Sequence, residues 1–182
     1  MKKTAMLFAE GFEEVEALTV VDLLRRAEIV CDVVALSGAD TVTGSHGITV
    51  RADRAFAGTD FDAYDGVLLP GGQPGTNNLA ADGRVSDLLR QFRSAGKLTA
   101  AICAAPTVLA KAGLLEGRRA VCYPGLEEKL TGAKTSADPV AVDGTVITSR
   151  GVGTAIPFAL ALVEYLDSAE RAEALARAIV YR

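Results

Sequence analysis

The sequence has no tryptophan, one histidine and few aromatic residues of any kind, 5%. A row of aromatic platforms for stacking nucleic-acid bases is therefore missing. Positive charge is also in deficit, with a net charge of −4. That argues against a phosphate-backbone or anionic-membrane partner. Cysteine is sparse, at Cys31, Cys103 and Cys122, and no CxxC occurs. With a single imidazole, His46, a structural zinc site is not expected, nor any other metal. An odd number of cysteines in a 182-residue chain, large enough to build a core without staples, reads as reduced thiols in a reducing compartment. No run approaches the roughly 20 apolar residues of a membrane span. The opening "MKKTAMLFAEGFEEVEA" starts with two lysines and an apolar stretch. It breaks at Glu10, too early for a signal peptide. The expectation is a cytoplasmic protein, one domain over 1–182, without nucleic-acid or membrane partners.

Short apolar runs alternate with helical patterns. Strands are predicted at 4–8, 29–36, 65–72, 97–102 and 118–122, and two more within 139–151, around Asp143-Gly144. Helices are predicted at 13–27, 84–96, 104–113, 125–133, 154–168 and 169–181. The first has acids in its opening turn and arginines in its last, the order that suits the helix dipole. "TVTGSHGITV" (41–50) reads as a small antiparallel hairpin. Continuous apolar strands separated by helices predict an α/β doubly wound, mostly parallel sheet covered on both faces.

In such sheets ligands bind beyond the carboxyl ends of the strands. Those ends are followed by Glu16, by Gly71 and Gly72, by Cys103, by Tyr123-Pro124, and by Ser149-Arg150-Gly151. Around Cys103, "AAICAAP" places alanines where a nucleophile elbow needs small neighbours, with Pro106 in the first helical turn. A thiol at a helix start is expected to ionise more readily, whereas a small buried hydrophobe is the bland alternative. The Gly71-Gly72 turn and the Ala104 amide could supply oxyanion donors. If Glu16 is buried near the thiol, it is expected to stay protonated and to shuttle protons. Glu13 reads as a solvated helix start. Cys31 reads as core, Cys122 as partly exposed, and His46 as a solvated turn residue, which argues against a papain-like hydrolase.

The segments "EGFEEVEALTVVDLLRRA", "YDGVLLPGG", "AAICAAPTVLA", "EEKL" and "TSRGVGTA", in that order, resemble the ThiJ/PfpI superfamily, in its DJ-1 branch. The resemblance covers nearly the whole chain. It implies a flavodoxin-like sandwich and a homodimer. It also implies Cys103 as reactive nucleophile, Glu16 as its protonated partner, and the Gly72 and Ala104 amides as oxyanion hole. Arg26 and His46 fall where relatives carry basic residues near the dimer-related site. Gly71, Tyr123 and Arg150 are further candidates for lining the site. The chain departs from peptidase members, which carry His where Ala104 stands, and Tyr123 occupies a position that is His in some members. The implied activity is cofactor-free attack on a small aldehyde or dicarbonyl, of glyoxalase or deglycase type. The alternative is a redox sensor whose Cys103 oxidises to sulfinic acid. Amidase, peptidase and thiamine-pathway roles rank behind both.

Overall fold

The structure, a computed structural model, describes residues 1–181. In chain order its elements are β1 (Lys3–Phe8), α1 (Glu14–Arg26), β2 (Val30–Ala35), β3 (Thr41–Thr43), β4 (Thr49–Arg51), β5 (Arg54–Ala55), β6 (Gly66–Leu69), α2 (Gly75–Ala81), α3 (Gly83–Ser94), β7 (Leu98–Ile102), α4 (Pro106–Lys111), β8 (Arg119–Ala120), β9 (Lys134–Thr135), β10 (Val140–Asp143), β11 (Val146–Ser149), α5 (Ala155–Leu166) and α6 (Ala169–Ala178). Seven strands form one sheet in the order β10-β11-β7-β6-β1-β2-β5. All its pairings are parallel except β10 with β11.

The continuous apolar strands are explained by two cores. Along β1, Met6 and Phe8 face a cluster built with α1, α5 and α6, while Ala5 and Leu7 face another built with α2, α3 and α4. Successive side chains of a strand point to opposite faces, so a sheet covered on both sides has no polar face to show. The chain lays β2 on one side of β1 and β6 on the other. The crevice at that reversal is where a doubly wound sheet offers its site.

Two expectations are corrected. The 118–122 strand leaves the main sheet: only Arg119 and Ala120 are extended, and they pair with Lys134 and Thr135. The 125–133 helix is one 3₁₀ turn, Glu127–Lys129, bracketed by Gly125 and Gly132 at φ of 90° and 79°. Glycines in that region end a helix rather than extend it. Conversely, α2 was not anticipated, because "GTNNLAA" carries one buried leucine, Leu79, and no apolar stripe. The 41–50 hairpin forms as expected, as a separate two-stranded sheet. Among the described residues no helix is long and apolar enough to cross a membrane.

Candidate active site

The start of α1 is not a solvated turn. Glu13 is its N-cap, and its carboxyl accepts the Glu16 backbone N–H at 2.7 Å, satisfying one orphan donor of the helix start. Glu14 and Glu16, in the first turn, are buried, at 3% and 1% exposure. The Glu16 carboxyl turns toward the carboxyl ends of β6 and β7, where Oε2 accepts the Gly71 N–H at 3.0 Å.

Cys103 follows β7 with φ at 66°, a left-handed conformation that a side-chain-bearing residue rarely adopts. Such backbone costs on the order of 1–3 kcal/mol and persists only where the surroundings enforce it. They do so here. The Cys103 N–H donates to the Ser149 carbonyl at 3.0 Å, and its carbonyl accepts the Tyr123 N–H at 2.7 Å. Ala101, Ala104 and Ala105 are buried around it, and Pro106 is the first residue of α4. The geometry is that of a nucleophile elbow with alanines in the places of glycines.

The thiol is half-buried and lies within hydrogen-bonding reach of the Glu16 carboxyl. The Gly72 and Ala104 amides both face the sulfur and favour its anion. The Gly71 amide does not join them, because it is spent on Glu16. The expectation of a readily ionised thiol is corrected: burial, then the Glu16 charge, push Cys103 up to about 12. Burial also pushes Glu16 up to about 7, against the hydrogen bonds from Cys103 and the Gly71 amide. The Glu16 effect on the thiol requires an ionised Glu16. Two acids this close titrate as a pair, and the first proton is lost by the pair rather than by either group.

Gly71 separates the two. A Cβ there would lie 2.6 Å from both Cys103 Cβ and Glu16 Oε2, and Gly71 itself adopts no left-handed φ. Space alone therefore demands the glycine. Gly71→Ala is expected to wedge the carboxyl from the thiol and to lower the melting temperature. Overpacking of this kind typically costs about 1–3 kcal/mol. Thermal unfolding and the rate of Cys103 alkylation check it, and an unchanged pair of values would overturn the packing account.

Cys103 opens into a cleft of about 550 Å³, whose walls include Glu13, Glu16, His46, Gly72, Tyr123, Arg150 and the 151–154 turn. The Tyr123 ring is exposed. Arg150 donates from one terminal nitrogen to the Ala137 carbonyl at 3.1 Å, and its buried Nε has no partner among the described residues. Arg26 is not in the cleft. It sits at the far end of α1, paired with Asp22 at 2.7 Å. Cys31 and Cys122 are both buried, and burial raises their thiols to about 12 and about 11. Partial exposure of Cys122 is thus corrected, because Val121 and Cys122 tuck in where the chain leaves β8. Ligand atoms of Glu13, Glu14 and His46 lie within 4.8 Å of one another. Both Glu14 oxygens already accept hydrogen bonds from the 45–48 turn, so a cation there would have to displace them. Reading the sequence missed Glu14, and Glu13 as a cleft wall. Gly44 packs against Glu14 where a Cβ would collide, a constraint visible only in the structure.

A doubly wound α/β sheet with a cysteine on a strained strand-to-helix turn, beside a buried carboxyl and two facing amides, defines a class of thiol-centred α/β proteins. Residues 2–165 match the model of the DJ-1/PfpI family, and the chain belongs to that family, in its DJ-1 branch. It is 40% identical over 183 residues to protein dj-1beta of Drosophila melanogaster, covering 99% of this chain and 98% of the relative. It is 34% identical over 178 residues to a protein of Caenorhabditis elegans named glutathione-independent glyoxalase DJR-1.2, covering 96% and 94%. The solved structure of oxidized Toxoplasma gondii DJ-1 superimposes with a TM-score of 0.95 at 34% identity, over 99% of this chain and 98% of that one.

Proposed function

We propose that the protein converts small 2-oxoaldehydes to 2-hydroxy acids at Cys103, without a cofactor. The observation that carries this reading is the contact of Cys103 with a buried carboxyl whose titration falls near neutrality. A general acid–base works best with its pKa near the working pH. The C. elegans relative named as a glyoxalase supports the same chemistry.

With one proton on the pair, the sulfur adds to the aldehyde carbon and Glu16 gives its proton to the aldehyde oxygen, forming a hemithioacetal. The Gly72 and Ala104 amides face the sulfur and the oxygen forming beside it. Glu16, now ionised, takes the hydrogen from the former aldehyde carbon as a proton and returns it to the neighbouring carbon, while the hydroxyl proton of the first carbon passes to the ketone oxygen. The result is a thioester of the 2-hydroxy acid. Water adds to the thioester carbonyl, Glu16 accepts a proton from that water, and the thiolate leaves. The products are the free acid and a pair that again holds one proton. No electron leaves or enters, and a deglycase reaction would differ only in releasing an amine or thiol from the adduct.

Incubation of the purified protein with methylglyoxal, in the absence of glutathione, is expected to yield lactate, with a transient added mass on Cys103. Absence of lactate above the blank would sink the reading.

A second reading rests on a specific observation. Among the described cysteines Cys103 alone is partly exposed, with Glu16 beside it to hold an oxidised sulfur, and the Toxoplasma relative was solved oxidized. Oxygen addition confined to Cys103 under graded peroxide favours sensing, and both roles can occupy one site. We also infer a homodimer: Val15, Ile48 and Val152, beside or within the walls of the cleft, are large apolar residues about half exposed.

A further inference from the structure

The turn between β3 and β4 is wrapped around a buried carboxylate. On Glu14 Oε1 fall the backbone N–H groups of His46 at 2.6 Å and Ile48 at 3.5 Å. On Oε2 fall the Ser45 hydroxyl at 3.3 Å and the His46 ring, through Nδ1, at 2.9 Å. Gly44 lies against the same carboxylate, and the Ser45 N–H donates to the Phe12 carbonyl at 2.8 Å. An otherwise exposed imidazole is therefore fixed at its backbone and at one ring nitrogen. Its other nitrogen, Nε2, has no protein partner among the described residues, and the ring forms part of the wall of the cleft that holds Cys103.

We propose that His46 is a second proton-transfer residue of the Cys103 cleft, acting on the ketone oxygen of a 2-oxoaldehyde, with Glu14 as its positioning residue. The proposal rests on the reading given above and supplies what that mechanism lacks, a partner for the second oxygen. As Glu16 removes the proton from the hemithioacetal carbon, imidazolium Nε2–H protonates the ketone oxygen, giving an enediol on sulfur. Glu16 then protonates the second carbon while neutral His46 takes the proton from the hydroxyl on the first. The thioester forms, and both residues return to their starting states.

The surroundings suit an imidazolium. Glu14 lies in contact, and the Glu13 carboxyl is 4.0 Å from Nδ1. The Glu14 hydrogen bond and charge, with Glu13 adding to them, raise the histidine. Burial would raise Glu14, but the His46 ring and the turn amides outweigh it and hold Glu14 down at about 2. Across the cleft stand Glu16, Cys103, Tyr123 and the opposing cation Arg150.

His46 is the only histidine of the sequence, so its ring resonances can be followed without assignment. His46→Gln is expected to lower kcat on the order of 10²-fold. It should leave the rate of Cys103 alkylation by iodoacetamide unchanged and raise the isotope effect of methylglyoxal deuterated at the aldehyde carbon. Glu14→Gln is expected to lower the His46 pKa and to move the alkaline limb of kcat downward with it. A merely structural turn would lose activity without moving that limb. Parental lactate formation that depends on Cys103, with kcat and limb unchanged in His46→Gln, overturns the role of His46 alone. No Cys103-dependent lactate in the parent overturns the dicarbonyl reading, and this inference falls with it.

Discussion

Lactate formation from methylglyoxal is expected to fall to the uncatalysed rate in Cys103→Ala, with the fold retained. Removing the nucleophile of a covalent catalyst commonly costs on the order of 10⁴–10⁶-fold in kcat. Here the other walls of the cleft offer carboxyls, an imidazole, a phenol and a guanidinium, none of which replaces a thiolate toward an aldehyde. Alanine is the informative substitution. It has a Cβ, as cysteine does, so the strain at φ 66° is the same in both proteins. The elbow's hydrogen bonds to Ser149 and Tyr123 are main-chain and survive. What disappears is one sulfur and its contact with Glu16. The melting temperature should therefore move little while turnover vanishes. Iodoacetamide should label the parent at Cys103, because Cys31 and Cys122 are buried, and should leave the variant unlabelled. Turnover in Cys103→Ala within tenfold of the parent would place the chemistry elsewhere.

The layers of the fold were legible because a sheet buried on both faces leaves continuous apolar runs. β2, β6 and β7 sit within their predicted spans, and β1 starts one residue before its own, at Lys3. Short elements were not legible, since pattern needs length. α2 has seven residues and a single buried leucine, too short a pattern to mark a helix. The 125–133 segment has helical composition, but its flanking glycines and tertiary position reduce it to three residues of 3₁₀. The 118–122 run pairs with Lys134–Thr135, and nothing local distinguishes that partner from the main sheet.

The site divides in the same way. The Cys103 elbow is local chemistry, small residues around a strand-to-helix turn, and could be read directly. The approach of Glu16 to Cys103 joins α1 to the turn after β7 across Gly71; the strand-end argument brings both to one rim, and the resemblance makes them partners. The Glu14–His46 contact had no such help. Three acids in a helix's first turn look alike in sequence, yet Glu13 caps the helix, Glu14 holds the hairpin turn and Glu16 meets the thiol. Their difference is the rotation of the helix about its axis, which places successive residues about 100° apart. Arg26 shows the converse: it stands on the same helix as Glu16, ten residues further on, and belongs to a different surface.

Glu16→Gln is expected to make the protein less active and more stable at once. A positioned acid–base contributes on the order of 10²–10⁴-fold to a rate, and Glu16 moves a proton in every chemical step proposed above. Glutamine keeps the size and can still accept the Gly71 N–H, so the loss falls on proton transfer rather than on packing. The stability change has the opposite sign. Burial raises Glu16 from 4.5 to about 7 in the folded chain. Between those values the folded state binds more protons at Glu16 than the unfolded state does, so the parent loses stability as pH rises through this window. Glutamine has no charge to bury. The variant should therefore melt higher than the parent at pH 8, with the difference shrinking toward pH 4. The pH profile separates the two effects further. In the parent the reactive, singly protonated pair forms as pH rises through about 7, and turnover rises with it. In the variant the thiol must ionise alone, in a buried setting that raises its pKa, so the rising limb moves to higher pH. Melting curves at several pH values, with kcat/KM profiles on the same samples, read both. A variant that keeps the limb near 7, or melts below the parent at pH 8, would remove Glu16 from the centre of the mechanism. A gain in stability bought with the loss of turnover is the signature of a carboxyl kept in the core for its chemistry.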